Sequence, residues 1–184
     1  METFEAFIKR IVTSFNRSGI GYMFTGALAA SYYGKPRTTM DVDIVVEAVS
    51  KDKMQDKLLQ ALEEAGVLVE KRKVEMVVES GFKIATFRDS ASPFTLDIIL
   101  SDGKLEKRRG TMLGLPTFYQ APEALILAKL RMIKATVHRE RALKDEEDVK
   151  AILKFTEVNV NKLRKKALGN TTLALLEDIL ARRD

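Results

Sequence analysis

Two aspartates one residue apart, Asp41 and Asp43, stand in the run Asp41-Val42-Asp43-Ile44-Val45-Val46, whose β-branched residues predict a strand. Side chains two apart on a strand point to one face, so both carboxylates project together while Val42 and Ile44 face apolar packing. Left unpaired, adjacent carboxylates repel one another and favour protonation. A divalent cation removes that conflict, and Mg²⁺ takes hard oxygen ligands, commonly one or two carboxylates together with phosphate oxygens. Asp97 lies in the otherwise apolar run Phe94–Leu100. Aspartate is depleted in strands, and a buried one needs a partner. Beside Asp41 and Asp43 it would complete a metal site, or act as general base on an attacking hydroxyl. Gly26 falls where a short strand, Tyr22–Thr25, hands over to a helix over Ala27–Tyr33. Such a junction offers free N–H groups and the positive end of a helix dipole to an anion, and glycine lets a phosphate approach the backbone. The two elements are thus suited to grip the two ends of a metal–triphosphate.

The elements that must position these residues are legible in the hydrophobic pattern. Phe4, Phe7, Ile8, Ile11, Val12 and Phe15 recur at helical spacing and end near Gly19. Lys35–Met40, with Pro36, reads as a loop, and Ser50 as the cap of a helix running to Glu64 and stopped by Gly66. Strands are predicted at Val74–Val78, Phe82–Arg88 and Phe94–Leu100, separated by turns at Ser80-Gly81 and Asp89–Pro93. Lys104–Tyr119 reads as a hairpin or irregular loop around Gly110 and Gly114, and from Pro122 onward the chain is helical, near 122–136, 142–155, 159–168 and 171–182. The expected organisation is an α/β region over 1–120 and a helical region over 121–184.

With 184 residues, 46% of them hydrophobic, the chain can bury a sizeable core. It has no cysteine, which excludes disulfides and thiolate metal sites. No apolar run reaches the length of a membrane span, and the opening METFEAFIKR has no apolar signal core. A cytoplasmic protein is the expectation. The net charge of +5 favours anionic partners such as nucleotides or RNA. Basic runs at Lys71-Arg72-Lys73, Lys107-Arg108-Arg109 and Lys162–Lys166 read either as solvated faces or as a nucleic-acid path.

The order strand, Gly26-Ala27, helix, Asp41-Val42-Asp43, then Asp97 on a later strand resembles the nucleotidyltransferase superfamily of the polymerase-beta type. Gly34-x-Pro36-Arg37-x-Thr39-x-Asp41 is similar to the form in small prokaryotic members, including AbiEii-like abortive-infection toxins. Pro122-Glu123-Ala124-Leu125-Ile126-Leu127-Ala128-Lys129-Leu130 and Lys144-Asp145-x-x-Asp148 resemble further segments of those proteins. The resemblance implies an α+β fold, with a mixed sheet flanked by helices and followed by a C-terminal helical bundle. It implies in-line attack by an acceptor on the α-phosphorus of a nucleoside triphosphate such as ATP, with Mg²⁺ or Mn²⁺ held by Asp41, Asp43 and Asp97. Nucleotide contacts would come from Gly26, Ala27, Arg37, Thr39, Lys129 and Lys144. The acceptor would be a tRNA, a protein hydroxyl or a small molecule, and a toxin role would bring a cognate antitoxin. The family's small hydroxyl residue after the glycine is Ala27 here, which keeps the backbone donors but loses a side-chain contact to phosphate.

Each residue also has a plainer reading. Asp41 and Asp43 could be exposed strand-start residues, and Asp97 could pair with a structural arginine. Arg37 could sit on a surface loop, and Lys129 could snorkel from an apolar stripe. Asp145 and Asp148 share a helix face and suit capping or salt bridging as well as catalysis. His138, the single histidine, reads as a solvated helix-end residue. The alternatives to an enzyme are a catalytically degenerate nucleotide-binding or antitoxin-like regulatory module, and a basic nucleic-acid-binding protein whose acids are structural.

Overall fold

The computed structural model describes residues 2–48, 51–79 and 83–182. The chain divides into two compact units, Met1–Leu28 with Thr38–Gln120, and Ala29–Arg37 with Ala121–Asp184. Helix α1 (Phe4–Ser18) begins the first unit. Its cap, Thr3, accepts a hydrogen bond from the Ala6 N–H at 3.2 Å, and Gly19 ends it in the left-handed conformation. Phe7, Ile8, Ile11, Val12 and Phe15 form its buried stripe. Strand β1 (Tyr22–Phe24) follows, then helix α2 (Gly26–Tyr33), which starts in the first unit and finishes in the second. The first unit continues with β2 (Asp41–Glu47), α3 (Lys51–Glu64), α4 (Lys71–Glu79), β3 (Ile84–Arg88), β4 (Thr95–Ser101), β5 (Lys107–Met112) and β6 (Leu115–Gln120).

These strands make one six-stranded mixed sheet in the order β3-β4-β2-β1-β6-β5. β2 runs parallel to β4 and antiparallel to β1, β3 runs antiparallel to β4, and β5 and β6 form a hairpin. Alternation decides what each face carries. Val42, Ile44, Leu96, Ile98, Ala85 and Phe87 are buried on one face. Their neighbours Asp41, Asp43, Thr95, Asp97 and Thr86 project from the other. A small apolar cluster of Met23, Val45 and Leu105, with Ile99 and Phe118 against it, is also present in this unit.

The second unit contains α5 (Pro122–Ala135), α6 (Arg139–Phe155), α7 (Val160–Gly169) and α8 (Leu173–Ala181). Leu125, Ile126, Leu130, Val149, Ile152, Leu163, Leu176 and Ile179 are buried along them. The segment 29–37 joins this unit through close contacts. Thr156 Oγ1 donates to the Tyr33 carbonyl at 2.5 Å, and a Cβ at Gly34 would lie 2.9 Å from that of Ala151.

The structure corrects one element. Val74–Val78 reads as a strand from its valines, yet it lies in α4. Val74, Val77 and Val78 are spaced three and four apart and all are buried, so a helical stripe outweighs β propensity. Helix α6 also starts at Arg139, ahead of the expected residue 142. The expected cap Ser50, the Ser80-Gly81 turn and Phe82 lie outside the described residues. No helix among the described residues is long and apolar enough to cross a membrane.

One ion cluster pins the turn between β3 and β4 to α1. The Arg10 guanidinium donates to Asp89 Oδ1 at 2.7 Å, to both Glu2 oxygens at 2.9 and 2.7 Å, and to the Ala65 carbonyl. Ser92 Oγ donates to the second Asp89 oxygen at 2.6 Å. Burial alone pushes the Asp89 carboxyl up. Hydrogen bonds from Ser92 and Arg10, the Arg10 charge and a backbone donor at Ala91 outweigh it, and the carboxyl ends below its ordinary value. A carboxyl depressed on folding stabilises the fold above its unfolded value of about 3.9, and loses that contribution as pH falls through the folded value. Asp89→Asn is therefore expected to cost about 1–3 kcal/mol at neutral pH in urea unfolding. The gap to wild type should narrow below about pH 4; a gap that stays constant down to acid unfolding would contradict this role.

Candidate active site

The geometry of the acids follows from the parallel pairing of β2 with β4. In this register Asp41 faces Thr95 and Asp43 faces Asp97. Adjacent strands lie about 4.8 Å apart, so the Asp43 and Asp97 side chains are immediate neighbours on one face. The antiparallel pairing of β3 with β4 extends the row, with Thr86 opposite Asp97 and Arg88 opposite Thr95. Two rows result across three strands: Asp43, Asp97 and Thr86, then Asp41, Thr95 and Arg88. Thr95 Oγ1 donates to Asp41 Oδ1 and Thr86 Oγ1 donates to Asp97 Oδ1, each at 2.6 Å.

Gly26 sits against this face from the β1 side. Its φ is +59°, a conformation side chains resist. A Cβ there would overlap the Asp43 carboxylate and stand 2.7 Å from its Cγ. The Thr25 N–H donates to the Asp43 carbonyl at 3.0 Å, and Thr25 Oγ1 donates to Gln120 Oε1 at 2.5 Å. Asp43 is thereby packed onto the first residue of α2, where helix N–H groups lack intrahelical partners. Ala27 is buried beside it. Thr39 turns the chain into β2, its Oγ1 lying 3.2 Å from both the N and the O of Asp41.

The other sequence candidates lie in the second unit. Arg37 Nε and Nη2 contact the two Asp148 oxygens at 3.1 and 3.2 Å. Lys129 is buried, with Nζ 2.8 Å from Asp145 Oδ1 and 2.7 Å from Asp148 Oδ2. Asp145 Oδ2 is buried without a hydrogen-bond partner. Two carboxylates and two cations balance in charge, and removing one partner from such a buried group is costly. Lys129 thus sits deep in an ion cluster, which replaces the snorkelling reading, and Arg37 pairs with a carboxylate. Lys144 is exposed, and among the described residues its side chain makes no hydrogen bond or ion pair. His138 is exposed at the N-cap of α6.

The donor set on the sheet face suits a hard cation: three carboxylates, with hydroxyls behind two of them. As placed, Asp41 and Asp97 are turned to those hydroxyls. Among the described residues no group of three His, Cys, Asp or Glu side chains is arranged to hold a metal. A groove of about 440 Å³ along α1, lined by Lys9, Arg10, Thr13, Ser14, Arg17 and Glu64, contains none of the candidate residues. Thr86, Thr95 and Arg88 were not singled out by the sequence. Alternation places Thr95 with Asp97, but the β3 partners need the long-range register.

Solved structures share this architecture. The antibiotic-resistance factor ANT(2'')-Ia, in complex with adenylyl-2''-tobramycin, superposes with a TM-score of 0.59 over 100% of each chain at 13% identity. The lincosamide antibiotic adenylyltransferase LnuA, lincomycin-bound, gives 0.54 over 82% of this chain and 98% of that one, at 16% identity. The fold is that of the nucleotidyltransferases. An antigenic nucleotidyltransferase-like protein from Paracoccidioides brasiliensis also matches, with a TM-score of 0.53, 12% identity and 95% and 94% coverage. No family model matches the chain, and no curated protein does.

Within this nucleotidyltransferase fold the contact between Gly26 and Asp43 is a point of no tolerance. Gly26→Ala is expected to lower unfolding stability by at least about 1 kcal/mol, because it combines a left-handed backbone with a collision. Chemical denaturation measures it, and an unchanged midpoint would show that the contact is loose.

Proposed function

We propose that the chain transfers a nucleoside monophosphate from a nucleoside triphosphate to a hydroxyl acceptor, using Asp41, Asp43 and Asp97 with Mg²⁺ or Mn²⁺. The observation that carries this reading is the seating of Asp43 on the start of α2, with Asp97 directly opposite on β4. It is supported by the fold shared with a lincosamide antibiotic adenylyltransferase and with an antibiotic-resistance factor in complex with adenylyl-2''-tobramycin.

Asp41 and Asp43 would hold the cation, after Asp41 leaves the Thr95 hydroxyl. A bound divalent ion supplies charge neutralisation of the triphosphate and polarises its phosphoryl oxygens. The N–H groups at Gly26 and Ala27 would donate to phosphate, favoured by the helix dipole. Asp97 would accept the proton of the attacking hydroxyl. The acceptor oxygen then bonds to the α-phosphorus, the bond from that phosphorus to the bridging oxygen breaks, and pyrophosphate leaves. Such transfer depends mainly on positioning and electrostatics. Ala27 offers no hydroxyl, so phosphate binding at this junction rests on the backbone alone.

Incubation with each α-³²P-labelled nucleoside triphosphate and Mg²⁺, with RNA, protein and small-molecule acceptors, tests the reading. Wild type is expected to transfer label, and Asp43→Asn and Asp97→Asn to fall by about 10²-fold or more. Equal transfer by the variants would refute the assigned roles. Triphosphate binding without transfer to any acceptor would instead mark a degenerate nucleotide-binding module.

A further inference from the structure

The six-stranded sheet ends in β3 on one side and β5 on the other, and the two edges are treated differently. Beside β3, the Leu68 N–H donates to the Arg88 carbonyl at 2.8 Å and Val67 bridges Asp89, so part of that edge is covered. Among the described strands, β5 pairs with β6 alone. The hairpin closes at Met112 and Leu115 through Leu113 and Gly114, whose φ values are +52° and +82°. Positive φ at both central residues marks a two-residue turn, whose flanking pair is hydrogen-bonded. Counting back by twos, Gly110 and Arg108 turn their backbone groups to β6, while Thr111, Arg109 and Lys107 turn theirs outward. Pro116 agrees with this count. It has no N–H, it stands opposite Thr111, and its carbonyl faces away from β5 to accept from Asn16 Nδ2 at 2.8 Å. The Thr111 carbonyl accepts from the Tyr119 hydroxyl at 2.9 Å. Among the described residues, the N–H groups of Lys107, Arg109 and Thr111 and the carbonyls of Lys107 and Arg109 bond to nothing.

Charge says what fills this edge. Lys107 and Arg109 share one face of the hairpin with Phe118, and Lys107 Nζ lies 4.1 Å from the centre of that ring. Arg109 is exposed, and among the described residues its side chain makes no ion pair or hydrogen bond. Basic side chains on an edge deter pairing with apolar or basic strands. A second copy of β5, added antiparallel, would set these cations against one another. A phosphate backbone would meet the cations, but also the outward carbonyls of Lys107 and Arg109, which repel its oxygens. An extended polypeptide suits both, since it brings donors to the carbonyls and acceptors to the N–H groups. Its residues two apart face Lys107 and Arg109 together. We propose that the outer edge of β5 takes an acidic segment of a partner protein as an added antiparallel strand, with a carboxylate opposite each of Lys107 and Arg109. This docking edge does not depend on the transfer reading above.

The test uses the full chain and a fluorescein-labelled peptide of about seven residues, an ordinary strand length, alternating Glu with Val. Anisotropy titrations are expected to show saturable binding, about tenfold weaker for Arg109→Glu, and none for the same peptide with Lys in place of Glu. Two N-methylated peptides, titrated into wild type, separate strand addition from charge attraction alone. The Glu residues turn their backbone groups to β5, so methylating their nitrogens should abolish binding, while methylating the Val nitrogens should leave it. Equal effects of the two methylations would overturn the proposal, as would equal peptide affinity in Arg109→Glu or no binding of the Glu peptide. It would also be overturned by Arg109-dependent binding of a labelled RNA in place of the peptide, or by a dimer in sedimentation that Thr111→Pro splits.

Discussion

The structure depends on one close approach, the carboxylate of Asp43 lying on the Cα of Gly26. Everything proposed for the sheet face needs that contact. It fixes β2 against the start of α2, and it places a negative charge where helix N–H groups would otherwise attract it unopposed. Only glycine meets both of its demands, a φ of +59° and no Cβ. The parallel pairing of β2 with β4 then brings Asp97 opposite Asp43. A one-residue slip of β2 would turn Asp41 and Asp43 into the core and away from Asp97.

Charge is handled in two contrasting ways. In the second unit, Lys129, Arg37, Asp145 and Asp148 neutralise one another in a largely buried cluster. Breaking such a cluster is expensive, so it suits a fixed scaffold. On the sheet face of the first unit, Asp41 and Asp97 instead accept from neutral hydroxyls. Hydroxyl hydrogen bonds hold a carboxylate in place without cancelling its charge, and the charge stays available to a cation. Arg88 and Asp89 show the same division within two residues: one side chain is consumed by the ion cluster on α1, the other is free.

Much of this was legible in the sequence because it is local. The alternation in Asp41–Val46 fixes a shared face for Asp41 and Asp43, and a glycine after a short apolar strand marks the turn into α2. Asp97 stands out because aspartate is rare in an apolar strand. What escaped depends on distant partners. Val74–Val78 has strand composition but helical spacing, and burial of its three valines decided the outcome. Thr86 and Arg88 gain meaning only through the register of β3 on β4. That Lys129 lies between Asp145 and Asp148 required the packing of α5 on α6. The inclusion of 29–37 with the helical unit follows from contacts of Tyr33 and Gly34 with residues more than a hundred positions away.

The most direct test of the central claim is a crystal structure grown with Mn²⁺ and a non-hydrolysable nucleoside triphosphate analogue, with Mn²⁺ located by anomalous scattering. The account requires a peak bound by Asp41 and Asp43, phosphates at the N–H groups of Gly26 and Ala27, and Asp97 facing the same cation or the open side of the α-phosphorus. A triphosphate bound elsewhere on the chain, or a face whose acids still accept from Thr95 and Thr86 at saturating Mn²⁺, would contradict it.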